Sequence, residues 1–323
     1  MATKSFLSWH KNISFIIAFL FLTSCASLQD HVKTKHEGPQ IEEKEVELPN
    51  PYDPATNEPV IKDSTLVSRK APKLGVILGG GGVLTYAQIG VLRELDRQKI
   101  PVHSIAGIEW GALVGGAYAK SGRSHEVEWQ MLKLPFKKFT ESGFFSSGQQ
   151  SISVNEMSDF LSGLFGNERL ENAKVPFSCP YIHIGKGTTR LSSRGFFKNV
   201  MKACWPHPPH FRVDAVAANL MGVQKAVTQL RKAGAEVILY VDVLQDNLLM
   251  DQNLRKKRPY DALMWLEVRE QVQNLRMLGI NEVMSLPLSG GSLTSYDSMR
   301  SLVRMGQLKS RGFIENMAKR YGY

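Results

Sequence analysis

The stretch Lys73–Gly122, KLGVILGGGGVLTYAQIGVLRELDRQKIPVHSIAGIEWGALVGGAYAKSG, constrains the fold more than any other part of the chain. Leu74–Leu78 is an unbroken apolar run, the pattern of a parallel strand covered on both faces. Four glycines follow, Gly79–Gly82. They allow a tight strand-to-helix turn and equally a cradle of free backbone N–H groups at a helix start, and spacing does not choose between the two. Tyr86–Gln98 then has helical periodicity, with Ala87, Val91, Leu92 and Leu95 on one side and Arg93, Glu94, Arg97 and Gln98 largely on the other. A second strand is predicted at Val102–Ala106. It runs into Gly107-Ile108-Glu109-Trp110-Gly111, a turn flanked by glycines that opens a helix rich in Gly and Ala. Gly115 and Gly116 let that helix approach the sheet, and Gly122 ends it. Strand, loop, helix, strand, elbow, helix is the order of an α/β fold, and the elbow presents one side chain at the top of the sheet. Here that side chain is Glu109.

The remaining chain extends the pattern. Glu126–Phe165 reads as mainly helical with an aromatic and Gly/Ser-rich break at Phe144–Gly148. Val237–Val243 is another apolar strand, Met221–Ala233 and Asp261–Leu278 have helical periodicity, Glu282–Leu288 is a last strand, and Met299–Arg320 closes the domain as a helix. No internal repeat is visible.

Before Lys73 the composition changes. Lys4 and Lys11 precede the apolar run Ile13–Leu22, which is short for a bilayer span but suits a secretory signal. The run ends in Leu22-Thr23-Ser24-Cys25, which resembles the lipobox of bacterial lipoproteins. That resemblance implies a signal peptide over 1–24, an acylated Cys25 as mature N-terminus, and attachment to a bacterial envelope membrane; Ala26 after the Cys resembles the outer-membrane pattern. Residues 25–72 are polar and punctuated by Pro39, Pro49, Pro51, Pro54 and Pro59, so they read as an extended tether. The folded domain is expected over 73–323. The formal charge of +10 suits an anionic partner, yet the basic residues are scattered with few aromatics among them, which argues against nucleic acid. The one dense run, Arg255–Arg258, reads as a solvated loop, with a membrane surface as its functional alternative. Cys179 and Cys204 sit in apolar surroundings and are expected as unpaired thiols. The eight histidines show no metal-ligand spacing, His207 and His210 lie in a Pro-rich turn, and neither metal nor cofactor is expected.

GGGG at 79–82, IGVLRELDRQKIPVHSIAG at 89–107 and GIEWGALVGGAYA at 107–119 together resemble the patatin-like phospholipases, whose pattern is GGGxRG near a first strand and GxSxG at the elbow. Glu171–Phe177, Arg194-Gly195, Ala203–Phe211 and Val237–Val243 agree with the family in order. The resemblance implies a three-layer α/β fold with a mainly parallel sheet and helices on both faces. It also implies a Ser–Asp dyad with an oxyanion hole made by the glycine loop, here Gly80, Gly81 and Gly82. Asp214, in Asp214-Ala215-Val216, stands for the dyad base.

The chain departs from the family at the nucleophile. Glu109 holds the Ser position, and a carboxylate attacking an ester would give a mixed anhydride no more stable than the ester. The loop's Arg and following Gly fall on Leu84 and Thr85, and Trp110 adds a large ring beside the elbow. These changes imply a membrane-tethered, non-hydrolytic family member that binds a lipid or an envelope partner. An acyl hydrolase using another nucleophile, Ser104 or Thr85, is the alternative. If Glu109 faces Asp214, the paired carboxylates would share a proton or bind a cation; a Glu109 turned to solvent, or bonded to backbone N–H groups at the helix start, is the simpler arrangement.

Overall fold

Six strands form one continuous path in the order β5-β4-β2-β1-β8-β9, and β1 lies inside it. The strands are β1 (Leu74–Leu78), β2 (Val102–Gly107), β4 (Phe177–His183), β5 (Thr188–Ser192), β8 (Val237–Asp242) and β9 (Glu282–Ser285). β1 pairs in parallel with β2 and β8, β2 with β4, and β8 with β9. β5 and the short β7 (Val216–Ala218) run antiparallel to β4, and β3 (Ile152–Ser153) and β6 (Phe211–Arg212) form a separate two-stranded ladder. The computed structural model describes residues 70–136, 152–208, 210–244, 255–256, 259–288, 293 and 298–323. All belong to one compact unit, Leu66–Tyr323. The signal peptide, Cys25, the Phe144–Gly148 break and most of the tether lie outside the described residues.

Every residue of β1 is buried, as its unbroken apolar sequence requires. Alternate residues serve opposite faces. On one side Leu78, Ile105 and Phe177 lie against Gly115 of α2 (Trp110–Ser121). On the other, Gly75 lies against Leu230 of α6 (Val223–Lys232), too close to Leu230 and Ala235 for a larger side chain. Helices thus cover both faces. α2 has almost no polar side and is buried nearly throughout; Gly122 ends it in the left-handed conformation at φ 66°.

The first helix, α1 (Tyr86–Arg97), is covered by α3 (Ser124–Met131) and by α8 (Met299–Tyr321). α8 runs parallel to α1, with Gly306 so close to the Ala87 carbonyl that no side chain would fit, and with Arg97 beside Glu315 at 3.3 Å. α3 runs antiparallel: the Ser124 N–H donates to Asp96 at one end, and the Tyr86 hydroxyl donates to the Met131 carbonyl at the other. The helices α4 (Ser158–Phe165), α5 (Phe197–Cys204) and α7 (Pro259–Gln273) complete the layers.

One expectation is overturned. Cys179 and Cys204 form a disulfide, with Cα atoms 6.0 Å apart, rather than standing as separate thiols. The apolar setting is as read, but the segment between them, a sequence separation of 25, holds β5 and the turn into α5, which bring the α5 terminus back against β4. A linear spacing carries no information about that return.

Candidate functional site

The site stands where β1 and β2 end. Glu109 has φ 57° and ψ −124°, an elbow conformation that non-glycine residues rarely adopt. Its flanking glycines are required by close approach. A Cβ on Gly107 would run into the backbone of Gly111 and Ala112, and one on Gly111 would run into the Leu78 carbonyl oxygen and lie 2.6 Å from that of Gly79. Ile108 N–H donates to the Leu78 carbonyl at 3.0 Å, tying the elbow to the end of β1. The backbone is therefore built to project one side chain over the glycine loop.

That side chain closes on the loop itself. Glu109 Oε2 accepts hydrogen bonds from the N–H groups of Gly81, at 3.1 Å, and Gly82, at 3.0 Å. Gly80, expected as a third donor, contributes space instead: a methyl built there would meet Glu109 Cβ and Leu220 Cδ2, both at 3.3 Å. The loop needs its glycines, since at Gly82, with φ 52°, a Cβ would lie 2.6 Å from His210 Nε2. Behind it Gln88 Nε2 donates to the Gly79 carbonyl at 2.7 Å, and Thr85 Oγ1 donates to that of Gly82 at 2.7 Å. Thr85 thus pins the short 3-10 turn Gly82–Thr85, within which Leu84 is fully buried.

Glu109 is completely enclosed. Burial pushes its carboxyl up to about 7, against the opposite pull of the backbone N–H groups of Trp110, Gly81 and Gly82. Oε1 has no hydrogen-bond partner of its own. Trp110, also fully buried, packs edge-on against Trp205 at 5.3 Å and against His210 at 5.2 Å between ring centroids. These rings take up the volume beside the elbow. The sequence showed Trp110 there but not its neighbours, because Trp205 and His210 arrive from a distant Pro-rich turn whose spacing does not reveal where it packs.

Asp214 is not brought into this cluster. It is exposed on the bend before β7, it makes no hydrogen bond to Glu109, and it is not among the groups that act on the Glu109 carboxyl. The side chain that reaches the glycine loop from that part of the chain is Leu220, just after β7, which lies against Gly80. Glu109 is bonded to backbone N–H groups, but it accepts its hydrogen bonds from the glycine loop rather than capping the start of α2, and it is buried rather than turned to solvent. Ser104, the alternative nucleophile, is buried in β2 on the face toward α6, five residues before the elbow and lining a separate cavity of about 300 Å³. Among the described residues no group of three or more His, Cys, Asp or Glu is placed to hold a metal, and no helix is long and apolar enough to cross a membrane.

The chain is similar to several known proteins. Lysophospholipase NTE1 of Coccidioides immitis is 25% identical over 213 residues, covering 60% of this chain and 13% of that one. Lysophospholipase NTE1 of Saccharomyces cerevisiae is 26% identical over 192 residues, covering 53% and 11%. The chain thus spans only a small part of the length of these relatives. Among solved structures it is similar to the type III effector protein ExoU, with a TM-score of 0.39 and 11% identity over 76% of this chain and 53% of that one. It is also similar to VipD from Legionella pneumophila, with a TM-score of 0.40 and 10% identity over 76% and 67%. The family model for patatin-like phospholipases matches residues 76–242, more than half of the chain. The match takes in the glycine loop and the elbow, and the chain belongs to the patatin-like phospholipase family.

Proposed function

We propose that this protein is a patatin-fold member of a bacterial envelope that no longer hydrolyses esters. On this reading it is tethered to the outer membrane through an acylated Cys25 and serves to bind a lipid or an envelope protein. One observation carries the loss of hydrolysis: Glu109 Oε2 takes the hydrogen bonds of Gly81 and Gly82. In acyl transfer such N–H groups stabilise the oxygen that gains charge as a nucleophile adds to the carbonyl. Here an oxygen of the protein's own chain occupies them, and no hydroxyl stands at the elbow to attack. A base at Asp214 would have nothing to deprotonate. The site has become a closed hydrogen-bonded cap over the glycine loop.

The test is turnover of short p-nitrophenyl esters by the purified full chain. The expected rate is that of buffer. Turnover that both Asp214→Ala and Glu109→Ala abolish would overturn the proposal.

The names of the lysophospholipase relatives favour a second reading, an acyl hydrolase with a different nucleophile. Thr85 and Ser104 are its candidates, but Thr85 Oγ1 is committed to the Gly82 carbonyl, and Ser104 Oγ is buried without a hydrogen-bond partner, hence without a base. A fluorophosphonate probe separates the two readings. Labelling of either residue supports the hydrolase; an unlabelled domain supports the cap.

A further inference from the structure

Among the described tryptophans, Trp110, Trp205 and Trp265 are fully buried, whereas Trp129 on α3 is 65% exposed. Its ring is met at 4.7 Å by Lys133 Nζ. Together with His125, Glu128, Leu132 and Arg300 they line an open groove of about 440 Å³ between α3 and the start of α8. Glu128, the acid in this groove, is already paired with Arg93 at 2.8 Å. Lys133 and Arg300 form no ion pair with any described residue, and Arg304 is exposed one turn beyond Arg300 on α8. On its other side Lys133 borders an apolar hollow of about 350 Å³ lined by Pro135, Phe160 and Leu164. The surface therefore joins an amphipathic ring, aliphatic and aromatic side chains, and cations with no acid partner among the described residues.

We infer that this surface docks the domain on an anionic lipid bilayer, with Trp129 seated at the headgroup level and Lys133, Arg300 and Arg304 facing the lipid charge. Charge complementarity selects the occupant. Lys133 lies over the protruding ring and Arg300 lines the same groove, so cations and an amphipathic ring are presented together, as a bilayer surface needs. Trp is the side chain that settles between headgroups and acyl chains, and cations near an anionic leaflet add attraction. Orientation follows from the helices. α3 is antiparallel to α1, with Met131 beside Tyr86, so Trp129 and Lys133 lie at the end of α1 that leaves the glycine loop. Docking by this face turns the end of the sheet carrying Glu109 toward the bilayer. The inference adds a second contact to the proposed Cys25 tether and does not depend on loss of catalysis.

The test uses the full chain on vesicles whose acyl chains carry bromine, which quenches indole at short range. Trp129 emission is taken as the difference between the parent and Trp129→Phe. On phosphatidylcholine with 30 mol% phosphatidylglycerol (about this proportion suffices for a negative surface), Trp129 is expected to be quenched. On phosphatidylcholine alone, or in high salt, it is expected to stay unquenched. Each surface cation is worth about fivefold in binding, so Lys133→Gln with Arg300→Gln should lower the docked-to-free ratio about 25-fold. Equal quenching in that double variant, or no quenching on the anionic vesicles, would overturn the inference. So would protection of Trp129 from iodide by inorganic phosphate in the absence of vesicles, which would assign the groove to a soluble anion. All three residues are at the surface, so far-ultraviolet circular dichroism should be unchanged. Vesicle co-flotation without quenching would leave the tether standing and remove only the docking face.

Discussion

The Glu109 carboxyl makes stability depend on pH in a way that can be worked out in advance. Its ordinary value of 4.5 applies when the chain is unfolded, and burial raises it to about 7 in the native state. Between those values the native protein holds a proton that the unfolded chain has released. Stability therefore falls as pH rises, by about 1.4 kcal/mol per pH unit. The contribution is fully present below pH 4.5 and is lost as pH passes 7. Across pH 5 to 8 the loss is about 2.5 kcal/mol, a large part of the marginal stability of a domain. Glu109→Gln retains an oxygen to accept from Gly81 and Gly82 but cannot ionise. Urea denaturation of both proteins at pH 5, 6, 7 and 8 isolates the effect, because every other titrating group cancels in the difference. The Gln variant should gain about 2.5 kcal/mol relative to the parent over that range. Parallel stability profiles would mean that Glu109 is solvated or paired with a cation, and would refute the enclosed cap on which the functional proposal stands.

Further outcomes follow from the same geometry. Glu109→Ser with Leu84→Arg and Thr85→Gly should remain inactive toward p-nitrophenyl esters, because Asp214 makes no bond at the elbow and the new guanidinium would be buried; measurable turnover would show a cleft still shaped for substrate. Trp110→Ala should cost about 3 to 5 kcal/mol in urea denaturation, since a ring packed against Trp205 and His210 leaves a cavity that the elbow backbone cannot collapse into. Replacing Cys179 and Cys204 by Ser should cost about 3 kcal/mol for a closed loop of this length, with reductant producing the same loss in the parent and none in the variant. Gly111→Ala should cost several kcal/mol or prevent folding, because the added methyl meets two carbonyl oxygens at the end of β1; a soluble variant with parental stability would show that the elbow relaxes more easily than its contacts imply.

The helices and strands were readable wherever one physical pattern dominated. Leu74–Leu78 had to be covered on both faces because it contains no polar residue, and it lies inside the sheet. The elbow was readable because glycines on both sides of a central residue, between an apolar strand and a small-residue helix, leave few other conformations open. Less was visible where local sequence lacks a repeating signal. β5 and β7, antiparallel to β4, have exposed or mixed compositions and pair only because the chain turns back on itself. Phe197 and Trp205 are fully buried apolar residues, and nothing in their local sequence names the rings they meet.

By itself the sequence determined that this chain is an α/β protein with a glycine loop and an elbow, and that a carboxylate replaces the hydroxyl an acyl hydrolase would use. Those conclusions rest on backbone freedom and side-chain chemistry, which are properties of residues taken one stretch at a time. Only the tertiary structure decided what the carboxylate does. Gly81 and Gly82 lie 28 and 27 residues from Glu109, and Asp214 lies far along the chain. Whether Glu109 meets the two N–H groups, the second acid or water depends on distances set by sheet order. The parallel pairing of β1 and β2 brings the loop and elbow together, while Asp214 is left on an exposed bend and Leu220 lies against Gly80 of the loop.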